Sequence, residues 1–381
     1  MSRTGPTGFA SRLIVDLDAV RRNFAALATH VAPARCAAVI KANAYGLGAR
    51  PIAAALRREG CRDFFVAQTC EALDLVGVLD ADCTIFILNG LDPGDEGICA
   101  ERGFVPVLNS PAQVAAWCAA AGARGRSLPA ALQLDSGMSR LGLTLAQLAE
   151  LARDPEIVRH LSLRLLVSHL ACADTPDHTE NGAQLVDLAE ARRLFPSVPA
   201  SIANSAGAYL GDDFHCDMVR SGLALYGVAP SPAVPPPAPV VRLEARVLQL
   251  RDRPAGRGAD DGLDDAGAPP RRLAAVAFGY GDGWPRSLGG GRGAVLIGDA
   301  ALPIVGRVSM DSMIVDMRDL GESELGCGDL VELIGPGQPV EAVAAAAGTI
   351  AYEILTRLGA RPQRMFIEAG DTIILPPGVQ P

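Results

Sequence analysis

Lysine is almost absent from this chain of 381 residues. Of its 34 basic residues 33 are arginine, and Lys41 is the single lysine. Arginine can replace lysine wherever only a positive charge at the surface is needed. Its guanidinium stays protonated, however, and cannot attack a carbonyl carbon. A lysine that stands alone in this background is therefore predicted to be needed for its reactivity. Its position at the end of an apolar strand favours that interpretation over a leftover surface lysine.

Other scarce features exclude whole classes of protein. No stretch approaches the roughly 18 consecutive apolar residues of a membrane helix, and the first residues contain no apolar signal core. The nine cysteines form no C-x-x-C pair, which argues against a disulfide framework and against a zinc site. A net charge of −9 disfavours sequence-independent binding to nucleic acid. We therefore expect a cytoplasmic protein that binds neither nucleic acid nor a membrane, and no metal site.

Short apolar runs alternate with helical patterns over the first two thirds of the chain. The runs are CAAVIKA (36–42), DFFVAQ (63–68), CTIFILN (83–89), FVPVLNS (104–110), PAALQLD (129–135), LSLRLLVSHL (161–170), PASIANS (199–205) and HCDMVRS (215–221). Continuous apolar strands that alternate with helices predict a parallel sheet covered by helices. Eight such strands favour a closed α/β barrel over an open, doubly wound sheet.

Polar residues interrupt these runs at their carboxyl ends. They are Lys41, Asp135, His169, Asn204 with Ser205, and Arg220. Because sites in α/β barrels lie at the carboxyl ends of the strands, we predict that these side chains converge on one rim. An open sheet would leave no reason for five strands to carry them there.

A proline-rich segment, 230–239, marks a domain boundary. We predict the barrel over residues 12–239 and a mainly antiparallel β domain over 240–381, which residues 1–11 are candidates to join. Within the second domain, segment 253–272 is rich in Gly, Asp and Pro, and we interpret it as a surface loop without a function of its own.

The rim residues suit a pyridoxal phosphate site. A lysine forms a Schiff base with this cofactor, while backbone amides and hydroxyl groups hold its phosphate. Barrels often bind phosphate after strands seven and eight, where this chain has Asn204, Ser205 and the segment 220–227. The minor alternative is a cofactor-free Schiff-base aldolase, whose lysine usually lies nearer the middle of the barrel sequence.

Seven segments, in order, resemble the signature segments of bacterial alanine racemases. They are AAVIKANAYGLG, LQLDSGMSRLGL, VSHLACAD, ANSAG, DMVRSGLALYG, FGYGDGW and GRVSMDSMIVD, and the resemblance runs from about residue 12 to 365. Several motifs in order are far more specific than any one alone. The resemblance implies a barrel followed by a β domain, with pyridoxal phosphate as cofactor. It also implies an enzyme that interconverts L- and D-alanine and supplies D-alanine for peptidoglycan.

The resemblance also implies a role for each matching residue. Lys41 would be the cofactor lysine and the base on one face of the substrate, and Tyr280 the base on the other. The further cofactor residues would be Tyr45, His169, Asn204, Ser205, Arg220, Gly222 and Leu223, and the substrate carboxylate residues Arg140 and the backbone of Met310. Arg220 would face the pyridine nitrogen, which an arginine cannot protonate.

Racemisation explains why two bases are implied. One face of the α-carbon must lose a proton while the opposite face gains one, and a single base would tend to return the same proton to the same face. In the family that the chain resembles, the tyrosine base comes from the neighbouring subunit. The resemblance therefore implies a homodimer with shared active sites.

The sequence departs from the family pattern at three places. Gln133 stands where many members have a lysine that becomes carbamylated, and glutamine can still hydrogen-bond Arg140 through its carbonyl oxygen. A tyrosine that adds to the phosphate site near the C-terminus is expected to be absent, since RLGARPQRMF offers Ala360 and Pro362. Segment 253–272 replaces a turn that usually carries tyrosine and glycine.

Three other functions compete with alanine racemisation. A racemase with serine or broader specificity is hard to separate from it, because a small pocket discriminates weakly against one methyl or hydroxyl group. A barrel-type amino-acid decarboxylase is disfavoured by Arg220, since members of that kind place a carboxylate at the pyridine nitrogen. A barrel-only cofactor carrier would need neither the second domain nor Tyr280.

Overall fold

The computed structural model describes residues 9–232, 234–254, 271–320 and 325–374. The chain divides into two compact units. The barrel unit consists of Val20–Ala44 and Ala49–Ala238, and the β unit takes the chain up to Ala19, Tyr45–Gly48 and everything from Pro239 onward.

The secondary structure alternates strand and helix up to residue 221 and is mostly strand afterwards. The strands are β1 (Ser11–Asp16), β2 (Arg35–Val39), β3 (Asp63–Val66), β4 (Thr84–Ile87), β5 (Val105–Leu108), β6 (Leu128–Gln133), β7 (Leu161–Val167), β8 (Ala200–Ser201), β9 (Met218–Ser221), β10 (Val241–Arg253), β11 (Arg271–Val276), β12 (Ala294–Ile297), β13 (Ala300–Val305), β14 (Met313–Asp316), β15 (Leu330–Ile334), β16 (Gln363–Glu368) and β17 (Asp371–Ile374). The helices are α1 (Leu17–His30), α2 (Ala49–Arg58), α3 (Thr69–Asp74), α4 (Glu96–Arg102), α5 (Pro111–Ala123), α6 (Leu145–Arg153), α7 (Pro155–His160), α8 (Thr179–Leu194), α9 (Val340–Ala347) and α10 (Ala351–Arg357).

The barrel unit is built on a parallel sheet of eight strands, in the order β8-β7-β6-β5-β4-β3-β2-β9. Backbone hydrogen bonds join its two ends, from Asp217 N to Ala200 O and from Arg220 N to Ala203 O, both at 3.0 Å. Each of the eight apolar runs supplies one strand. The predicted α/β barrel is therefore confirmed.

The strands of the barrel are mainly apolar because helices cover their outer face while side chains fill the interior. Phe65 and Phe86 stack inside with ring centroids 4.5 Å apart. Tyr226 is buried as well, and its hydroxyl donates to the carbonyl of Val39 at 2.7 Å. The strand that precedes Lys41 is thus fixed from within the barrel.

Within its described residues, the β unit contains nine strands, in the order β11-β14-β13-β12-β15-β10-β1-β16-β17. The long, bulged β10 also pairs with β11, so that six of the strands close on themselves. Every pairing is antiparallel except that of β1 with β16. The prediction of a mainly antiparallel second domain is confirmed.

Two boundaries differ from the sequence-based expectation. The barrel was expected to begin at residue 12, but β1 pairs with β10 and β16 in the β unit. Its alternation of buried and half-buried side chains identifies a strand and cannot identify the sheet that the strand joins. The helical pattern of segment 340–359 (VEAVAAAAGTIAYEILTRLG) predicts one helix, whereas the structure divides it between α9 and α10. Gly348 ends α9 in a left-handed conformation, with φ of 74°.

The predicted loop 253–272 lies outside the described residues except at its two ends, and so do residues 1–8. Within the described parts of the chain, no helix is both long and apolar enough to cross a membrane.

Candidate active site

Lys41 opens a left-handed turn directly after the first barrel strand. Residues 42–45 have φ of 51°, 54°, 50° and 56°, a conformation that costs roughly 1–2 kcal/mol for each residue other than glycine. Local hydrogen bonds hold the turn, from Ala44 N to Ile40 O at 2.8 Å and from Ala49 N to the Asn43 side chain at 2.7 Å. Strain of this kind persists only where surrounding contacts impose it, and it is typical of functional sites.

The charges around Lys41 favour its neutral amine. Burial lowers the pKa of Lys41, and the positive charges of Arg140 and Arg220 lower it further, while Glu71 acts in the opposite direction. Because only the unprotonated amine attacks a carbonyl carbon, a lowered pKa increases the reactive fraction at neutral pH.

Arg220 forms a fixed cation in the barrel interior. Its guanidinium donates to Ser201 Oγ and to the Ser168 carbonyl, both at 2.6 Å, and lies over the ring of Phe65 at 6.0 Å. Burial lowers the pKa of Arg220 to about 10. The side chain therefore stays charged at neutral pH and its direction is fixed by its hydrogen bonds.

His169 is the neutral neighbour of this cation. Arg220 Nη2 lies 3.3 Å from Nδ1 of His169. Burial first, and then the charges of Arg220, Arg140 and Lys41, lower the pKa of His169 to about 3. Since the arginine can only donate, Nδ1 of the neutral ring accepts and its proton resides on Nε2.

Backbone amides gather around the hydroxyl of Ser205. Its Oγ accepts from Gly222 N at 3.0 Å and from Ala224 N at 3.3 Å. Leu223 lies between these two residues and begins the short 3₁₀ turn Leu223–Tyr226. Successive amides beside a hydroxyl are the donors that a phosphate group requires.

Asn204 acts on the backbone next to this hydroxyl. Its Oδ1 accepts from Ala206 N at 3.0 Å and from Gly207 N at 2.9 Å. The amide side chain thus closes the turn that follows Ser205 and positions that serine.

Arg140 lies in the loop after strand β6, and the side chain of Asp135 organises the start of that loop. Asp135 accepts from Gly137 N at 3.1 Å and from Ser139 N at 3.0 Å. Gln133 is buried, and its Nε2 donates to the Leu141 carbonyl at 3.0 Å. The amide nitrogen of Gln133 is therefore engaged next to Arg140, and its carbonyl oxygen is the atom with which the predicted hydrogen bond to Arg140 would be made.

Tyr280 and Met310 are neighbours in the β unit. Tyr280 N donates to Ser309 O at 3.0 Å and Gly281 N to Met310 O at 2.8 Å. Both side chains are exposed, at 43% and 51%. The approach requires a glycine before the tyrosine, because a Cβ atom at Gly279 would lie 2.4 Å from both carbonyl oxygens.

Tyr45 has a second tyrosine beside it, which corrects one expectation. The ring centroids of Tyr45 and Tyr352 are 5.6 Å apart. Burial raises the pKa of Tyr45, and the neighbouring Tyr352 raises it further. The sequence interpretation considered Ala360 and Pro362 and overlooked Tyr352, in IAYEIL on α10, which the structure brings beside Tyr45.

The sequence interpretation also missed Gln184. This completely buried side chain donates from Nε2 to the His169 carbonyl at 2.9 Å and to Ser136 Oγ at 3.1 Å. Its Oε1 accepts from Ala171 N at 2.9 Å. One signal could have identified it: Gln184 shares the buried face of α8 with Leu188 and Ala191, four and seven residues further on.

The predicted residues thus fall into distinct groups. In the barrel unit, the charges of Lys41, Arg140 and Arg220 act on one another or on His169, while Ser205 lies beside Gly222 and Leu223. In the β unit, Tyr280 lies beside Met310 and Tyr45 beside Tyr352.

Comparison with known proteins gives matches over both units. The model of the alanine racemase N-terminal domain matches residues 15–230, and that of the alanine racemase C-terminal domain matches residues 240–366. A catabolic alanine racemase of Agrobacterium fabrum is 48% identical over 372 residues, which cover 97% of this chain and 96% of that protein. An alanine racemase of Brucella canis is 45% identical, with 93% of each chain covered.

Solved structures agree with these matches. The crystal structure of alanine racemase from Bartonella henselae with covalently bound pyridoxal phosphate has a TM-score of 0.89 and 42% identity, and covers 94% of this chain and 100% of that one. Alanine racemase from Streptomyces lavendulae has a TM-score of 0.88 and 33% identity, with 96% and 98% covered. By domain matches, sequence identity and fold alike, the chain belongs to the alanine racemase family.

Proposed function

We propose that this chain is a pyridoxal-phosphate-dependent racemase that interconverts L- and D-alanine. The observation that carries the proposal is Lys41, the single lysine, on a strained turn at the barrel rim and with its pKa lowered by burial and by two arginines. The covalently bound pyridoxal phosphate of the Bartonella henselae relative supports the choice of cofactor.

The residues of the barrel unit fit this cofactor chemically. Lys41 supplies an amine for a Schiff base, and the hydroxyl of Ser205 with the amides of Gly222 and Leu223 would hold the phosphate. When bound, the cofactor withdraws electrons from the α-carbon of the amino acid and so makes its α-proton acidic. Tyr352, as the neighbour of Tyr45, would share the phosphate role that the resemblance assigns to Tyr45.

Arg220 and His169 restrict what the site does with that acidity. Arg220 stays protonated at neutral pH, so it does not transfer a proton to a pyridine nitrogen. Electron withdrawal by the ring is thereby limited. Limited electron withdrawal favours return of a proton to the α-carbon over transfer of the amino group. It also disfavours the decarboxylase alternative.

Two groups would move protons on opposite faces of the α-carbon. Lys41 Nζ would hold the proton on one face, and Tyr280 Oη of the partner subunit would hold it on the other. Arg140 and the backbone of Met310 would bind the substrate carboxylate. The exposure of both Tyr280 and Met310 on one part of the β unit supports a contribution across a homodimer contact.

The contacts of the other four tyrosines favour Tyr280 as the second base. Tyr226 is buried with its hydroxyl on a backbone carbonyl, and Tyr209 stacks on His30 with ring centroids 4.5 Å apart. Tyr45 and Tyr352 lie against each other. Segment 253–272 contains four aspartates but no tyrosine, so it offers no competing tyrosine for this role.

The cellular role has two candidates. Supply of D-alanine for peptidoglycan remains our prediction, while the names of the Agrobacterium fabrum and Mesorhizobium japonicum relatives as catabolic favour a role in the breakdown of alanine. The same racemisation serves both roles. Deletion of the gene would cause a requirement for D-alanine in the first case, and loss of growth on one enantiomer of alanine as a carbon source in the second.

Reduction with borohydride tests the proposed chemistry directly. The purified protein should carry one equivalent of reduced pyridoxal phosphate on Lys41, which peptide mapping identifies without ambiguity because there is no second lysine. The Lys41→Arg variant, which keeps the charge and loses the reactivity, should remain folded and unlabelled. Label confined to the N-terminal amine would refute the cofactor assignment.

Substrate identity requires a separate measurement. Loss of optical activity should be followed over a panel of amino acids that includes alanine and serine. Alanine should give the highest kcat/KM, and a higher value for serine would replace alanine racemisation by the broader alternative. Carbon dioxide release from any of them would instead favour the decarboxylase.

A further inference from the structure

Glu71 connects two loops at the barrel rim with one carboxylate. Its Oε1 accepts from Ala42 N at 2.6 Å, the amide of the residue that follows Lys41. Its Oε2 accepts from Ala67 N at 2.6 Å and from Gln68 N at 3.2 Å, in the loop after β3. The carboxylate thus ties the left-handed turn to the neighbouring strand.

A helix-capping role explains only half of these contacts. Glu71 is the third residue of α3, and its bonds to Ala67 and Gln68 belong to the start of that helix. The bond to Ala42 lies outside the helix and 29 positions away in sequence. A simple cap would leave Oε1 in solvent.

The bond to Ala42 acts where the backbone is most strained. Ala42 is the first of four successive left-handed residues, and none of them is glycine. Each costs free energy, so the direction in which Lys41 leaves the strand depends on contacts that hold the turn. Glu71 provides a side-chain contact to the residue that directly follows Lys41.

Glu71 also has the opposite charge to the other charged groups that act on Lys41. Arg140, from the loop after β6, and Arg220, from β9, both disfavour a protonated Lys41, whereas Glu71 favours it. His169, after β7, is neutral in this environment. The single carboxylate therefore limits how far the arginines act on the amine.

We propose that Glu71 is the positioning residue of Lys41. It holds the amide that follows the lysine, and it sets one negative charge against the arginines at the rim. The relevance of this clamp to racemisation rests on the proposed function, while the clamp itself is a property of the folded chain.

The test uses the full-length chain freed of bound cofactor, so that Lys41 is open to a reagent. Trace labelling with acetic anhydride across a range of pH, followed by peptide mapping, reports the titration of Lys41 alone, since the only other amine is at the N-terminus. Hydrogen exchange of the peptide that spans residues 42–45 reports the hold on the turn. Glu71→Gln removes the charge, and Glu71→Asp keeps the charge but shortens the reach.

In Glu71→Gln the labelling midpoint of Lys41 should fall by about 0.5 pH unit or more, because a neighbouring opposite charge is lost. Exchange at Ala42 should become about tenfold faster in both variants, since opening then needs less free energy. Glu71→Asp should keep its midpoint close to that of the wild type. The matched control is Glu59→Gln, which removes a carboxylate paired with Arg21 elsewhere in the barrel unit and should change neither measurement.

Wild-type exchange at Ala42 in either variant, or an unchanged midpoint in Glu71→Gln, would overturn the proposal and leave Glu71 as a helix cap. If Glu71→Gln does not fold, the exchange rate in Glu71→Asp decides. Neither measurement requires racemase activity or bound cofactor. A failure of the proposed function would therefore be seen in the borohydride experiment and not here.

Discussion

Arg220 Nη2 and His169 Nδ1 lie 3.3 Å apart, and this contact adds to burial in keeping the histidine neutral. The arginine can only donate, so His169 is neutral with its proton on Nε2. Burial and the nearby positive charges lower the pKa of His169 from 6.5 to about 3. A cation and a neutral imidazole are thus held side by side in the barrel.

The stability of the protein should therefore depend on pH through His169. Between about pH 6.5 and pH 3 the unfolded chain binds a proton at this position that the folded chain does not, so the free energy of unfolding decreases as the pH falls through this window. Urea unfolding at pH 7 and pH 4.5 should show a smaller loss for His169→Gln than for the wild type. An equal loss in both proteins would mean that His169 titrates normally.

Gln184 should hold the loop that carries His169. In Gln184→Leu the His169 carbonyl and the Ala171 amide lose their buried partner, and unfolding should become easier by about 2 kcal/mol or more. The cofactor absorbance of the folded variant should also titrate differently with pH, because the contact between His169 and Arg220 is displaced. Gln249→Leu, on an exposed part of β10, is the control and should change stability by less than about 0.5 kcal/mol.

Gly279 should tolerate no side chain. A Cβ atom there would lie 2.4 Å from the carbonyl oxygens of Ser309 and Met310, so Gly279→Ala should lower the free energy of unfolding by about 1–3 kcal/mol and reduce kcat/KM by displacing Tyr280. Gly182→Ala, in helix α8 with nothing near its Cβ position, should instead raise stability by about 0.5–1 kcal/mol. Thermal unfolding of the two variants provides the comparison, and equal effects would contradict it.

Gln133 should orient Arg140 without a carbamate. Added bicarbonate should then leave racemisation unchanged, because the amide needs no carbon dioxide to act. Gln133→Ala should raise KM for alanine more than it lowers kcat, as expected for a residue that acts through the substrate carboxylate. A clear dependence on bicarbonate would refute this account.

Complementation between inactive variants tests the shared site. Lys41→Ala and Tyr280→Phe should each be inactive alone, and a mixed dimer should contain one site with both bases and one with neither. Activity should then recover to about half that of a wild-type dimer for each heterodimer, measured by loss of optical activity after mixing and refolding.

Two results would contradict this arrangement. No recovery, although heterodimers form, would place both bases in one chain. Wild-type racemisation by Tyr280→Phe alone would assign the second proton transfer to another group.

The amino-acid sequence by itself determined the architecture of the barrel and singled out the candidate for its reactive residue. Eight apolar runs predicted eight strands because a strand covered on both faces leaves a continuous hydrophobic signal. Lys41 was identified because arginine, which replaces lysine everywhere else, cannot perform the chemistry of an amine. The motifs that resemble alanine racemases added the family and its candidate site residues.

Only the tertiary structure decided which side chains support that lysine. Glu71 and Gln184 read locally as ordinary helix residues, and their contacts with Ala42 and His169 link positions 29 and 15 residues apart. The left-handed turn after Lys41, the pairing of β1 in the β unit and the approach of Tyr352 to Tyr45 also depend on distant segments. Local patterns specify which element forms, whereas contacts between distant elements are set by packing, and packing leaves no periodic signal in the sequence.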